Sequence, residues 1–349
     1  MRAVVLISGG LDSMLAVKLT EELGIEPVPV NFDMGFSQAK HRQKVPPKKP
    51  HPAGTQILRE RGYDVHTIDV AEEYFYNVLL HPRHGYGSQV NPCIDCKIYF
   101  QKKAWEYGQT IGAEFIVTGE VLNQRPMSQR RNILFVIEKE AGLEGMVVRP
   151  LSGRILPATI PEKKGWIERS RMFDIEGRGR LRQMELAKNY GFAEFETPAG
   201  GCLLTEEHIA HRFFDRFRAE GKDNPDFKEY QLLKVGHHFR FSPSCTMVTG
   251  RNFYENKYIA EYAPLIRKDA LLLDTQDIPG PLSILMGPDC GEHLEIALRI
   301  TARYTDLKGN AMVKILDKQG NPLSERVSEG IEEWEYAKYR VLLDTAKKR

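Results

Sequence analysis

Three short stretches of the chain hold residue types that can do chemistry together. Asn91-Pro-Cys-Ile-Asp-Cys-Lys97 carries the Cys93/Cys96 pair behind a lead rich in Gly, Pro and His, His81-Pro-Arg-His-Gly-Tyr-Gly87. Thr197-Pro-Ala-Gly-Gly-Cys202 sets a third thiol behind two glycines, which let a backbone wrap closely around a guest. Ser8-Gly9-Gly10-Leu11-Asp12-Ser13 is a glycine loop with two hydroxyls and a carboxylate. Two thiols at Cys-x-x-Cys spacing can face one bound atom or one another. Metal, cluster, persulfide and disulfide chemistry are therefore all open on spacing alone.

The elements around these stretches decide what they can reach. Ala3–Ile7 predicts a short buried strand, and Met14–Leu23 repeats apolar residues at helical spacing until Gly24 stops it. Strand, glycine loop, helix is the geometry in which backbone N–H groups and a helix N-terminus cradle phosphate, with Ser8 and Ser13 as added donors. Asp12 would repel a phosphate there unless Mg²⁺ lay between them. The loop lacks the Gly-Lys-Ser/Thr ending of a Walker motif. A second strand, Pro27–Phe32, runs into Asp33-Met34-Gly35. The alternation continues with a helix at 55–61, a strand at Val65–Val70, a helix at Ala71–Leu80 and a long helix from the thiol pair to Ile111. A strand at Glu114–Thr118, a helix at Asn132–Ala141 and a strand at Met146–Arg149 follow. This pattern predicts an α/β fold with a doubly wound, mostly parallel sheet, whose ligands bind at the C-terminal strand ends. Ser8–Ser13, Met34 and Gly119 all fall at such ends, as one nucleotide site requires.

Ser-Gly-Gly-Leu-Asp-Ser resembles the signature of the PP-loop ATP pyrophosphatases, which split ATP into AMP and pyrophosphate to adenylate a substrate oxygen. That resemblance implies an adenine contact at Met34. Beside that site Thr118–Arg131 is polar and rich in Arg and Gln with little need of them for packing, so Arg125, Arg130 and Arg131 read as contacts to ATP phosphate or RNA backbone. With Pro92-Cys-x-x-Cys96 and Gly200-Gly-Cys202 added, residues 1–205 resemble the tRNA uridine thiolases related to MnmA and ThiI, in their three-cysteine iron–sulfur form. In single-cysteine MnmA-type members the position of Cys93 is acidic and that of Cys96 is the catalytic cysteine. Cysteine at both favours cluster ligation over a simple persulfide shuttle. The resemblance implies ATP, Mg²⁺ and a [4Fe–4S] cluster on Cys93, Cys96 and Cys202, with one iron lacking a protein ligand. It implies tRNA and a sulfur donor (sulfide or a cysteine desulfurase) as partners, and is compatible with a homodimer. A persulfide on Cys96 resolved by Cys202, a zinc-stabilised RNA-binding protein with a vestigial loop, and an amidating ligase are the competing readings.

The second half reads differently. Basic residues are dense from Lys163 to Arg182 and again over Lys40–Pro52 with its four prolines beyond Val45; each suits a phosphate-tracking segment or a solvated face. After a helix at Glu206–Arg218, His237–Val248 alternates as a strand or hairpin. Gly250-Arg-Asn…Glu255-Asn, the stretch Lys268–Gly280 with its Asp277-Ile-Pro-Gly ending, and a helix at Glu292–Tyr304 resemble the NFACT-R RNA-binding module over roughly 235–320. Pro281 departs from the Ser usual in that family. Cys245 and Cys290 lack a spaced partner and read as buried thiols. The expected organisation is a PP-loop domain at 1–165, a basic helical linker carrying the third cysteine at 166–225, and a smaller α+β domain at 226–349. An RNA-binding module in place of the MnmA C-terminal barrel points to 4-thiouridine at tRNA position 8, with wobble 2-thiouridine as the alternative.

Bulk properties fit this. A net charge of +2 offers no global attraction to nucleic acid, so RNA binding must come from local clusters. Five cysteines among 349 residues, an opening Met1-Arg-Ala-Val too short for a signal peptide, and no apolar run near the roughly 18–20 residues of a membrane span predict a cytoplasmic protein without a disulfide framework.

Overall fold

The computed structural model describes residues 1–37, 41, 44, 54–192, 202–221, 225–266, 269–275, 278–307 and 310–341. Most of the basic stretch 40–52, Gly200, Gly201, Lys268 and Asp277 lie outside the described residues. The chain forms two compact units: Met1–Ala39 with Lys48–Cys202, and Lys40–Pro47 with Leu203–Arg349. Among the described residues no helix is long and apolar enough to cross a membrane.

The first unit is built on a five-stranded sheet of order β3-β2-β1-β4-β5, with every described pair parallel. Its strands are β1 (Arg2–Leu6), β2 (Glu26–Asp33), β3 (His66–Asp69), β4 (Phe115–Thr118) and β5 (Val147–Val148). Continuous apolar runs suit strands covered on both faces: Ala3, Val4 and Val5 are fully buried, as are Phe115 and Ile116. Helices α1 (Leu11–Glu22), α2 (Gly54–Glu60), α3 (Cys93–Thr110), α4 (Arg131–Ala141) and α5 (Leu181–Asn189) supply the layers. Strand order reverses between β1 and β4, so the crevice beyond their C-terminal ends is where such a sheet takes ligands. The expected Ala71–Leu80 helix starts as α-helix at Ala71–Tyr74 and widens into a π-helical turn at Phe75–Leu79.

The second unit is a six-stranded antiparallel sheet of order β11-β10-β8-β9-β7-β6. The expected hairpin is β6 (His237–Arg240) against β7 (Thr246–Thr249), followed by β8 (Ala270–Asp274), β9 (Leu282–Met286), β10 (Ala311–Asp317) and β11 (Pro322–Ser328). Period-two alternation splits its core. Met247, Leu273 and Leu285 pack with Ala297, Leu298 and Ile300 of α8 (Leu294–Arg303). Their neighbours Val248, Leu272 and Ile284 pack with Tyr258 and Ile259 of α7 (Phe253–Tyr262). Helix α6 (Glu207–Glu220) belongs to this unit.

Candidate active site

The glycine loop joins β1 to α1 as the sequence predicts. Gly9 has φ +86°, a left-handed conformation that favours glycine, and a Cβ on Gly54 at the start of α2 would meet the Gly9 carbonyl oxygen at 2.2 Å. Gly10 caps α1 without a side-chain hydrogen bond. That helix end presents N–H groups and the positive end of its dipole, a ready cradle for phosphate. Ser13 Oγ donates to the Gly10 carbonyl (2.7 Å), and Ser8 Oγ lies 3.4 Å from both Ser13 Oγ and the Gly10 nitrogen. Gly119, just past β4, presses so closely on α1 that a Cβ there would meet the Asp12 carbonyl oxygen at 2.4 Å. Met34 is buried at the end of β2.

Asp12 is held in a way that the sequence did not reveal. Its Oδ2 accepts hydrogen bonds from Arg180 (2.8 Å) and Gln124 (2.7 Å), while Gln183 donates to Gln124 at 3.3 Å. Its Oδ1 is buried and has no partner. An orphaned carboxylate oxygen facing a phosphate cradle is a fitting ligand for Mg²⁺, and Arg180 fits as a contact to the same phosphates. Arg125, Arg130 and Arg131 are exposed, and Arg131 reaches the Ile155 carbonyl at 3.0 Å.

The thiols sit on a frame of aromatic and charged contacts. Cys93 opens α3, after Asp95 of the same turn accepts the backbone N–H groups of Arg83 (3.1 Å) and His84 (3.0 Å) and so fastens the preceding lead. Phe100 of α3 stacks on Phe32 of β2 (5.5 Å) and on Tyr74 (5.7 Å). The Tyr74 hydroxyl is buried, lacks a well-formed hydrogen bond, and faces the Cys96 thiol. Cys93 Sγ donates to Ser128 Oγ at 3.3 Å. Cys202 joins Ser37, just past β2, through a backbone bridge. Burial pushes the Cys96 thiol well above the usual thiol range, and the nearby Cys93 and Cys202 sulfurs push it the same way against the Tyr74 hydroxyl. The three sulfurs therefore share one electrostatic neighbourhood, with the Tyr74 hydroxyl turned towards it. Among the described residues no three His, Cys, Asp or Glu side chains converge as a single-ion site requires.

A second feature escaped the sequence reading: a buried charge network directly under the thiols. Lys97, one residue after Cys96, pairs with Glu120, which also binds Arg149 Nε (2.9 Å); Arg149 pairs in turn with Glu138. Burial alone would raise the Glu120 carboxyl, but Lys97 and Arg149 outweigh it and hold it at about 2. The network ties α3 to the end of β4, and hence the thiols to the glycine loop that Gly119 touches. The Glu-Val after Gly119 was legible only as a polar loop, because its partners lie 23 and 29 positions away.

These features define an α/β unit with a parallel five-stranded sheet and a separate antiparallel-sheet unit. Residues 1–139 match the family model of the tRNA methyl transferase HUP domain, and residues 236–340 that of the NFACT protein RNA binding domain. The chain is similar to the tRNA-specific 2-thiouridylase MnmA of Proteus mirabilis, 28% identical over 137 residues that are 38% of this chain and 37% of the relative. It is also similar to a probable tRNA sulfurtransferase of Thermococcus kodakarensis, 28% identical over 154 residues, 44% of this chain and 37% of the relative. The chain thus spans little more than a third of the length of these curated relatives. Among solved structures, a 4-thiouridine synthetase–RNA complex with bound ATP aligns with 55% of this chain and 54% of its own, at 21% identity and a TM-score of 0.33. The C-terminal part of the fibronectin/fibrinogen-binding protein from Streptococcus suis aligns with 46% of this chain and 76% of its own, at 11% identity and a TM-score of 0.25.

Proposed function

We propose that the chain is an ATP-dependent tRNA uridine thiolase. The observation that carries this reading is the meeting, within one unit, of an uncapped phosphate cradle at β1 and α1 with three thiols around Cys96. A uracil carbonyl oxygen is a poor leaving group. Attack of that oxygen on the α-phosphorus of ATP breaks the bond to pyrophosphate and leaves an adenylate. A sulfur nucleophile then displaces AMP, a good leaving group.

Each residue has work in that sequence. The Gly9–Ser13 backbone and the Ser8 and Ser13 hydroxyls hold the phosphates and the departing pyrophosphate. Asp12 Oδ1 would hold Mg²⁺, which when bound would neutralise phosphate charge, and Arg180 neutralises charge on the transferring phosphate. Met34 packs on the adenine, and Gly119 keeps β4 low enough for the nucleotide to lie over the sheet. Cys93, Cys96 and Cys202 are the residues that would hold a [4Fe–4S] cluster, which when bound by three thiolates supplies an open coordination position for sulfide. Tyr74 donates its hydroxyl into the same space. Three thiols in one neighbourhood, rather than a single one, favour this reading over a lone persulfide carrier; either role needs Cys96 as its thiolate. The tRNA-binding partner of the chemistry is the 236–340 module, and its presence favours recognition of the tRNA body, hence 4-thiouridine at position 8.

The test is anaerobic purification followed by nucleoside mass spectrometry of tRNA incubated with MgATP and sulfide. A brown protein that releases AMP and yields 4-thiouridine is the expected result. A colourless protein with full activity on sulfide would remove the cluster, and activity only with a sulfane-sulfur donor such as a cysteine desulfurase would move the transferred sulfur to a Cys96 persulfide. A 2-thiouridine product would move the modified position to the wobble base. No AMP release would remove the enzyme reading altogether.

A further inference from the structure

Around Gly236 the second unit gathers several cations about one buried carboxylate, Glu255. Arg212 of α6 donates to the Leu233 carbonyl (2.6 Å) and the Gly236 carbonyl (2.8 Å). On the other side of the same turn, Glu255 accepts from the Gly236 N–H (3.1 Å) and from the Arg251 backbone N–H (2.9 Å) and Nε (3.0 Å). Glu255 is the carboxylate that these two guanidinium groups share. Burial and then Arg251 pull the Arg212 guanidinium down to about 10. His208, also on α6, is lowered by burial and then by Arg212. His41 and His237 are held down at about 4 by burial first, then by Lys234 and Arg340 respectively. Arg251 pairs with Glu255 yet keeps its side chain 49% exposed, so its planar fork still has a face that an oxyanion can take.

A second observation says what accompanies the anion. The two residues that follow Arg251-Asn252 are aromatic and face solvent: Phe253 is 72% exposed and Tyr254 46%. Asn252 caps α7 by accepting from the Tyr254 and Glu255 N–H groups (3.0 and 3.1 Å), so both rings stand on the first turn of a fixed helix, 5.6 Å apart and edge to face. Rigid aromatic faces beside a phosphate-binding arginine form a stacking platform for an unpaired base.

The geometry points to an unpaired-nucleotide site at the start of α7 on the 236–340 module: the backbone phosphate lies against Arg251, with Arg212 of α6 adding positive charge behind it, and the base stacks on Phe253 or Tyr254. This rests on the tRNA-binding part of the proposed function and names the contacts that would carry it. Fully paired RNA offers the phosphate but not a free base face, so single-stranded or looped nucleotides are preferred.

Binding of an unmodified tRNA transcript to the full chain, titrated across salt, tests it against a blunt RNA duplex of equal length. Phe253→Ala, on an exposed ring, is expected to weaken tRNA binding roughly tenfold with an unchanged salt slope, and to leave duplex binding unaltered. Arg251→Gln is expected to reduce the salt slope by about one, the loss of one phosphate contact; Arg251→Lys should restore the slope but not the full affinity. Wild-type affinity and slope in both Phe253→Ala and Arg251→Gln, with the wild type binding tRNA, would overturn the site and leave the tRNA reading intact. Failure of the wild type to bind tRNA would overturn both.

Discussion

The protein holds two groups of thiols, and they teach opposite lessons about what makes a cysteine functional. Cys93 and Cys96 lie on the first turn of a helix, next to Lys97, the Ser128 hydroxyl and the buried Tyr74 hydroxyl that faces Cys96, and share their electrostatic surroundings with Cys202. Cys245 and Cys290 lie in the second unit with Sγ atoms 3.2 Å apart, buried among Phe239, Met247, Leu285 and Leu298. The second pair is in contact, yet its walls are apolar. Burial and the Cys245 thiol, the latter foremost, push Cys290 far above the thiol range. Proximity alone therefore does not mark a reactive site. Polar neighbours that can hold charge or a guest mark it.

The largest expected effect breaks this comparison most directly. Cys93→Ala, Cys96→Ala and Cys202→Ala should each reduce tRNA thiolation to background, whereas Cys245→Ala and Cys290→Ala should keep wild-type activity. Thiolated-nucleoside mass spectrometry reads both sets. Full turnover in Cys202→Ala would remove the third thiol from the site. Background activity in a folded Cys245→Ala would mean that the dry pair is chemical after all.

The charge network beneath the first group comes next. Glu120→Gln leaves Lys97 and the nearly fully buried Arg149 short of a counter-charge, and breaking such a buried pair costs about 3–5 kcal/mol. Urea unfolding of the variant should show that loss, and thiolation should fall with it, because the network fixes α3 against the end of β4. A cost under about 1 kcal/mol would reduce the network to the worth of a surface ion pair.

A smaller effect is expected at Asp12. Arg180→Ala removes the cation on Oδ2, so the incoming triphosphate meets an uncompensated carboxylate. Charge-assisted hydrogen bonds are worth roughly 1.5–3 kcal/mol, which sets a rise in KM for MgATP of about tenfold or more. Pyrophosphate release measured against ATP concentration gives the number, and an unchanged KM would remove Arg180 from the phosphate site.

Much of this was legible in the sequence, and the boundary is physical. Local patterns carried over well. The strand, glycine loop and helix at Arg2–Glu22, the long helix from Cys93, and the hairpin at His237–Thr249 formed within three residues of their expected ends, because periodicity and glycine stops are local signals. Pairings that depend on chain folding were not legible. Arg180 stood out only as one of many basic residues in a charged stretch, although it lies 168 positions from the carboxylate it binds. Cys245 and Cys290, 45 positions apart, gave no sign that they touch. Lys97–Glu120–Arg149–Glu138 was hidden for the same reason. A clue was present: a Lys directly after a Cys-x-x-Cys has little reason to turn inward unless an acid waits there.

The smallest effect separates the two units by pH. In the second unit, His41 and His237 are held at about 4 against an unfolded value near 6.5. Between those values the unfolded chain binds more protons than the folded one, so stability there rises with pH and is lost as pH falls from 6.5 towards 4. In the first unit, Glu120 at about 2 works the same way over a lower window: its contribution is intact above the usual glutamate value and is lost as pH falls towards 2. Amide exchange on the full chain, resolved by peptide, should therefore speed up around β6 and α7 between pH 6.5 and 4, while α3 and β4 keep their protection until lower pH. Simultaneous loss of protection in both units at one pH would show that neither the imidazoles nor Glu120 sets the acid limit of its own unit.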